Sequence, residues 1–103
     1  DFVVLPNVAA QPATTFVIEP HAWMALERRV LERQARMEDP QVWIVHSHVD
    51  LPPVLSAADR QAFTVDGVPL LPRLALAVLE VRQGRARLPP SCWRFEGGWT
   101  PAL

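Results

Sequence analysis

The sequence predicts a mixed α/β (α+β) domain, and three observations predict it. Runs of β-branched and aromatic residues alternate with a long segment of helical period. Proline, glycine, asparagine and aspartate cluster between those runs, where turns belong. Half of the 103 residues are apolar, enough for one small hydrophobic core and no more.

Residues 1–6 carry Phe2, Val3, Val4 and Leu5 and predict a strand. Residues 7–13, with Asn7 and Pro12, predict a turn or loop. Residues 14–19 are β-branched and aromatic and predict a second strand. Pro20 then opens a helix at a position where its missing N–H costs nothing. That helix is expected over 20–37. Trp23, Leu26, Val30 and Met37 lie near one stripe, with Met24 and Leu31 beside it, and Glu27, Arg28, Arg29, Glu32 and Arg33 on the polar side. The stripe predicts packing through Trp23, Leu26 and Val30. Pro40 bars continuation, because the residue before a proline avoids helical geometry.

Residues 41–47 (QVWIVHS) predict a buried central strand. Pro52 and Pro53 make 48–55 a loop. Ser56 caps a short helix reaching about Phe63. Asp66-Gly67 is a turn. Residues 74–81 (LALAVLEV) predict a strand, which Gln83-Gly84 turns into a hairpin with 85–88. Pro89 and Pro90 are expected to break that strand, leaving 92–95 as the last one before a glycine-rich tail. Trp93 belongs to the core. Trp99, in the tail, is either a core residue or a partner contact. The chain contains no internal repeat and no low-complexity segment.

A formal net charge of −1 offers no footprint for nucleic acid or an anionic membrane, and the arginines read as solvated faces. The single cysteine, Cys92, cannot form an internal disulfide and reads as a small apolar residue near a tryptophan. The longest apolar stretch, near 74–79, is too short to span a bilayer, and no signal-peptide pattern opens the chain. A cytoplasmic location is therefore expected. Because the first residue is Asp1, the chain is expected to be a fragment, a processed form or the ordered part of something longer.

The chemistry gathers around the histidines. Of His21, His46 and His48, the last two form H-S-H at the C-terminal end of the 41–47 strand. Positions i and i+2 of a strand face the same side, about 7 Å apart along the backbone, a suitable bite for one zinc ion. Two hydrogen-bonded histidines would satisfy the same pattern. Asp50 and Asp59 are the candidates for a third ligand. Asp50 continues the alternation, but Pro52 and Pro53 oppose an extended strand there. Asp59 falls in the first turn of the helix capped by Ser56, where Ser-x-x-Asp also reads as a capping box.

Residues 46–59, HSHVDLPPVLSAAD, resemble the JAMM motif of the JAB (MPN+) metallopeptidases: His-Ser/Thr-His, a spacer of seven (here 49–55), then Ser-x-x-Asp. Val49 stands where the family usually has proline. Residues 4–19 also resemble the strand, Asn-containing loop and strand that precede a helix in prokaryotic JAB domains. Residues 74–81 resemble the strand after the motif helix. The resemblance implies one JAB/MPN-like (cytidine-deaminase-like) domain over 1–103, a curved mixed β-sheet flanked by helices, spanning the later part of a family domain. It implies that His46, His48 and Asp59 bind Zn2+, with water in a fourth position, and that Ser56 holds that water or stabilises the oxyanion. Zinc so held lowers the pKa of water and polarises a carbonyl. The implied reaction is hydrolysis of a peptide or isopeptide bond at the C-terminal tail of a ubiquitin-like or sulfur-carrier protein. That tail would bind by strand addition, with 49–55 walling the groove.

The family also uses a glutamate general base in an E-x-C-G-type segment, which this sequence lacks. Glu19, Glu27, Glu32 and Glu38 precede the motif. Glu19 reads as a helix-start carboxylate and Glu27 and Glu32 as solvated charge, so the family's glutamate is expected N-terminal to Asp1. Metallo-β-lactamase-like proteins have HxHxDH, where this chain has Leu51 in the last place, and an amidohydrolase barrel needs roughly 250 residues. The remaining alternative is a catalytically inactive JAB/MPN-like scaffold for protein assembly.

Overall fold

A computed structural model describes residues 18–102. The expected strand at 1–6, the turn at 7–13 and most of the strand at 14–19 lie outside the described residues. The chain divides into two compact units, Asp1–Pro40 and Gln41–Leu103.

The described part of the first unit is built on helix α1, Pro20–Ala35. Glu19 is its N-cap, and its carboxylate accepts from the N–H groups of His21 (3.0 Å) and Ala22 (2.8 Å). Those backbone bonds, with His21 close by, hold the Glu19 carboxyl below the usual range. The helix stops two residues before the expected end. Met37 enters the left-handed region at φ 64°, donating to Gln34 O while Glu38 N–H donates to Arg33 O. That bond pair is a Schellman motif, which satisfies the last carbonyls before Pro40 is reached. Val30 is buried and Trp23 and Leu26 are half-buried, as the stripe predicts, whereas Met37 is 94% exposed.

The second unit contains strand β1 (Val42–Val49), helix α2 (Ala57–Ala62), strands β2 (Thr64–Val65) and β3 (Val68–Pro69), and strands β4 (Leu74–Arg82), β5 (Arg85–Phe95) and β6 (Trp99–Ala102). Four of the strands form one mixed sheet in the order β1-β4-β5-β6. β1 runs parallel to β4, and the other two pairings are antiparallel. The mixed α+β class expected from the sequence is what is found. Described neighbours flank β1 on one side only. Among the described residues it stands at the edge of the sheet, with Val42 and Ile44 buried and Trp43, Val45 and Val49 exposed. The central position belongs to β4, whose first five residues are buried on both faces, the pattern of an interior strand.

Parallel pairing obliges the chain to cross from the end of β1 back to the start of β4, and residues 50–73 make that crossing. It carries α2 and the β2–β3 hairpin. Phe63, Leu55 and Leu71 from the crossing are buried together with Ile44, Leu74, Leu76, Val78 and Trp93. Trp99 is also buried, lies edge-on to Phe95 at 5.3 Å, and donates its indole N–H to Arg60 O at 3.4 Å. It is a core residue and not a partner contact.

Two further expectations need correction. Pro89 and Pro90 do not break the strand; β5 continues through them. Val78 pairs with Ser91 and Glu80 with Arg87, so residues 88–90 bulge out of the ladder. A bulge asks no ladder hydrogen bond of proline, which is why the strand survives. The glycine-rich tail is likewise a strand, because Gly97 at φ 73° permits the tight return to β6.

The two-residue turns are as expected. Asp66-Gly67 joins β2 to β3 and Gln83-Gly84 joins β4 to β5, all four residues at positive φ, as a type I′ hairpin requires. A Cβ on Gly84 would meet nothing within 4 Å, so substitution there costs conformational energy alone. Gly84→Ala is expected to lower unfolding free energy by about 1–2 kcal/mol, as read by urea denaturation.

Candidate metal centre

The alternation that buries Val42 and Ile44 brings His46 and His48 to the same face at the end of β1. Both side chains are mostly covered, and their ring centroids lie 5.1 Å apart. Val49, where the resembled family has proline, keeps its place in the ladder opposite Val81. Asp50 donates its N–H to Val81 O at 2.9 Å and then turns at φ 54°, which ends the strand. Asp50 is exposed and is not part of the cluster.

Asp59 arrives from above, at the third position of α2. Ser56 is the N-cap. Its hydroxyl oxygen accepts from Asp59 N–H at 3.0 Å, and its own N–H donates to Asp59 Oδ2 at 2.9 Å. The capping box read from the sequence is therefore real, and it does not exclude the ligand reading. The same carboxylate, only 4% exposed, lies 3.3 Å from His46 Nε2 through Oδ1 and 3.2 Å from His48 Nε2 through Oδ2. One ligand atom from each of the three residues falls within 4.8 Å of the others. Burial raises the pKa of Asp59, but the Ser56 N–H bond and the two imidazoles outweigh it and hold the carboxyl below its usual value. Burial depresses the pKa of His46 and outweighs the attraction of Asp59, with His48 adding to the depression.

The orientation of His48 tests whether a cation fits. Its Nδ1 lies 2.8 Å from Pro52 O. A carbonyl can only accept, so Nδ1 carries the proton and a neutral ring presents a lone pair at Nε2. That lone pair faces a carboxylate oxygen. Two acceptors meet at such a distance only with a positive centre between them, either a proton or a metal ion. The two rings meet different oxygens of the one carboxylate, so both turn toward the same short gap. Pro52 is also the kind of outer partner that fixes the tautomer and direction of a metal-ligating histidine.

The structure thus brings together the three predicted ligands, with Ser56 beside them. The remaining candidates have partners within their own units. Cys92 lies on the other face of the sheet, half-buried, its thiol 3.7 Å from Pro90 O. His21 pairs with Glu19 at 3.1 Å, and Glu38 with Arg36 at 3.0 Å. Two features escaped the sequence reading: the Pro52 carbonyl, and Glu80, which stands opposite His48 on β4. The proline pair next to H-S-H was a signal for the first. Nothing local signalled the second, because it depends on strand register.

The site and the fold define a chain able to hold a metal ion through two histidines and an aspartate. No protein-family model, curated protein or solved structure matches the chain. Among the described residues no helix is long and apolar enough to cross a membrane.

Proposed function

We propose that this chain is the metal-binding part of a JAMM-type zinc peptidase that hydrolyses a peptide or isopeptide bond. One observation carries the reading: His46 and His48, at the end of a strand, turn their Nε2 atoms onto the carboxylate of Asp59, held by Ser56 in the HSH-(seven)-SxxD spacing. His46, His48 and Asp59 would hold the ion. A bound Zn2+ would supply Lewis acidity toward a scissile carbonyl and a low-pKa nucleophile from water. Pro52 orients His48, and Ser56 N–H anchors Asp59. Because the Ser56 hydroxyl oxygen is already accepting from Asp59 N–H, its own O–H remains to donate, and we assign it to the developing oxyanion. The substrate class is the C-terminal tail of a ubiquitin-like or sulfur-carrier protein, in a cytoplasmic setting, and no glutamate of this chain is assigned as the general base.

One observation favours the scaffold reading. Asp59 is already engaged by the cap and by both rings, so a protonated His–Asp–His network would satisfy the same distances. Elemental analysis separates the two. Purified protein is expected to carry about one zinc per chain, and Asp59→Ala to carry none. Zinc in neither would leave a scaffold.

A further inference from the structure

The sheet face that carries His46 and His48 runs on into an arginine cluster that the metal chemistry does not use. His48, Glu80 and Arg87 stand in one row across β1, β4 and β5, and Arg82 and Arg85 form the next row. Residues in register project to the same face, so all five share it. Arg82 donates from Nε to Glu80 Oε1 at 2.7 Å. Arg85 and Arg87 are exposed. Asp50, the other acidic residue at this end, is bonded only through its backbone N–H, to Val81 O. Read from the sequence, these arginines were scattered solvated charges. The hairpin gathers them.

Stability alone does not select this arrangement. Arg82 and Arg85 close the β4–β5 turn directly opposite each other, and like charges in that relation destabilise a strand pair. Any opposite-charge pair would serve the turn better. Glu80 is bonded to Arg82 and lies directly opposite Arg87, so these two rows set three arginines against one carboxylate, an excess that points to function.

We propose that Arg85 and Arg87, backed by Arg82, dock acidic side chains of an extended peptide substrate whose scissile bond lies at the His46/His48/Asp59 cluster. This rests on the hydrolytic reading above. Neighbouring strands are about 4.8 Å apart, which puts the Arg87 row about 10 Å from His48. An extended peptide advances about 3.3 Å per residue, so the acidic residue falls about three positions from the bond to be cut. Charge complementarity selects the occupant. With a net charge of −1, the chain lacks the broad positive field that nucleic acid requires, so the cluster acts locally, on a substrate brought to its neighbourhood.

The test is fluorescence anisotropy on zinc-supplemented full-length chain with labelled extended peptides, one bearing glutamates and a matched one bearing glutamines. The acidic peptide is expected to bind about tenfold more tightly at low salt, and the preference to vanish near 1 M NaCl, where the screening length is about 3 Å. Arg85→Glu/Arg87→Glu should invert the preference. Near-UV circular dichroism checks its fold, and Arg85→Gln/Arg87→Gln, which should abolish the preference, replaces it if the fold is lost. Equal binding of both peptides, a preference untouched by these variants, or tighter binding of a single-stranded oligonucleotide overturns the proposal. Binding needs no turnover: an acidic peptide that docks by these rules on a chain that takes up no zinc overturns the hydrolytic reading and leaves the docking site standing.

Discussion

Zinc added to metal-free protein is expected to raise its thermal midpoint by about 10–20 °C, and to leave the midpoint of His46→Ala unmoved. The size follows from linkage. A ligand at about 100 times its dissociation constant stabilises by about 2.7 kcal/mol, and each kcal/mol moves a domain of this size by about 4–8 °C. His46→Ala is the informative variant, because His46 has no part in capping α2, whereas Asp59 does. Scanning calorimetry with and without zinc reads both. Equal shifts in the two proteins would remove His46 from the ligand set.

Acidity should act on the metal-free protein in two stages of the same sign. The folded-state pKa of His46 is depressed from 6.5, so from about 6.5 downward the unfolded chain takes up that proton first and stability falls. The pKa of Asp59 is depressed from 3.8, so its stabilisation is present above 3.8 and lost as pH falls through the lower folded value. Zinc-loaded protein should resist the first stage, because a metal ion competes with protons for the imidazoles. Urea midpoints measured from pH 8 to pH 3, with and without zinc, would show it. A stability that rises as pH falls below 6.5 would contradict the burial assigned to His46.

The second large effect lies in the sheet itself. Leu76 is fully buried in the central strand, paired with Ile44 on one side and Trp93 on the other. Leu76→Ala is expected to cost about 2–5 kcal/mol through lost transfer energy and a residual cavity. That is a large share of the roughly 5–15 kcal/mol that holds an ordinary domain together. Leu88→Ala, by contrast, removes a side chain 79% exposed on the β5 bulge and should stay within about 0.5 kcal/mol of the parent. Denaturant unfolding of the pair measures the contrast directly.

What could be read beforehand was local. The helix after Pro20, the cap at Ser56, the turns at Asp66-Gly67 and Gln83-Gly84, and the common face of His46 and His48 all follow from neighbours within a few positions. What escaped depends on partners far along the chain. The apolar run in β1 looks like an interior strand, yet among the described residues it pairs on one side only, and periodicity reports which face is buried, never how many neighbours a strand has. Pro89 and Pro90 looked like a break because a bulge is visible only against the strand it opposes. The same holds for the row His48–Glu80–Arg87, since the register of β1 on β4 is set by a crossing of more than twenty residues, 50–73. The three candidate ligands were legible because H-S-H and S-x-x-D each fix geometry locally. The spacer between them was legible only through resemblance.

Asp59 has two employments, one in starting a helix and one in facing the histidines, and this has a consequence for comparing the chain with future relatives. If the cluster holds a metal, a descendant that abandoned it would still be punished for losing Asp59, since α2 would lose its reciprocal cap. His46 takes no part in that cap. Drift would therefore erase His46 first, while Ser56 and Asp59 lingered as a fossil of the motif. Retention of Ser-x-x-Asp alone would then be silent about chemistry, and the first histidine would be the position whose presence or loss carries the message.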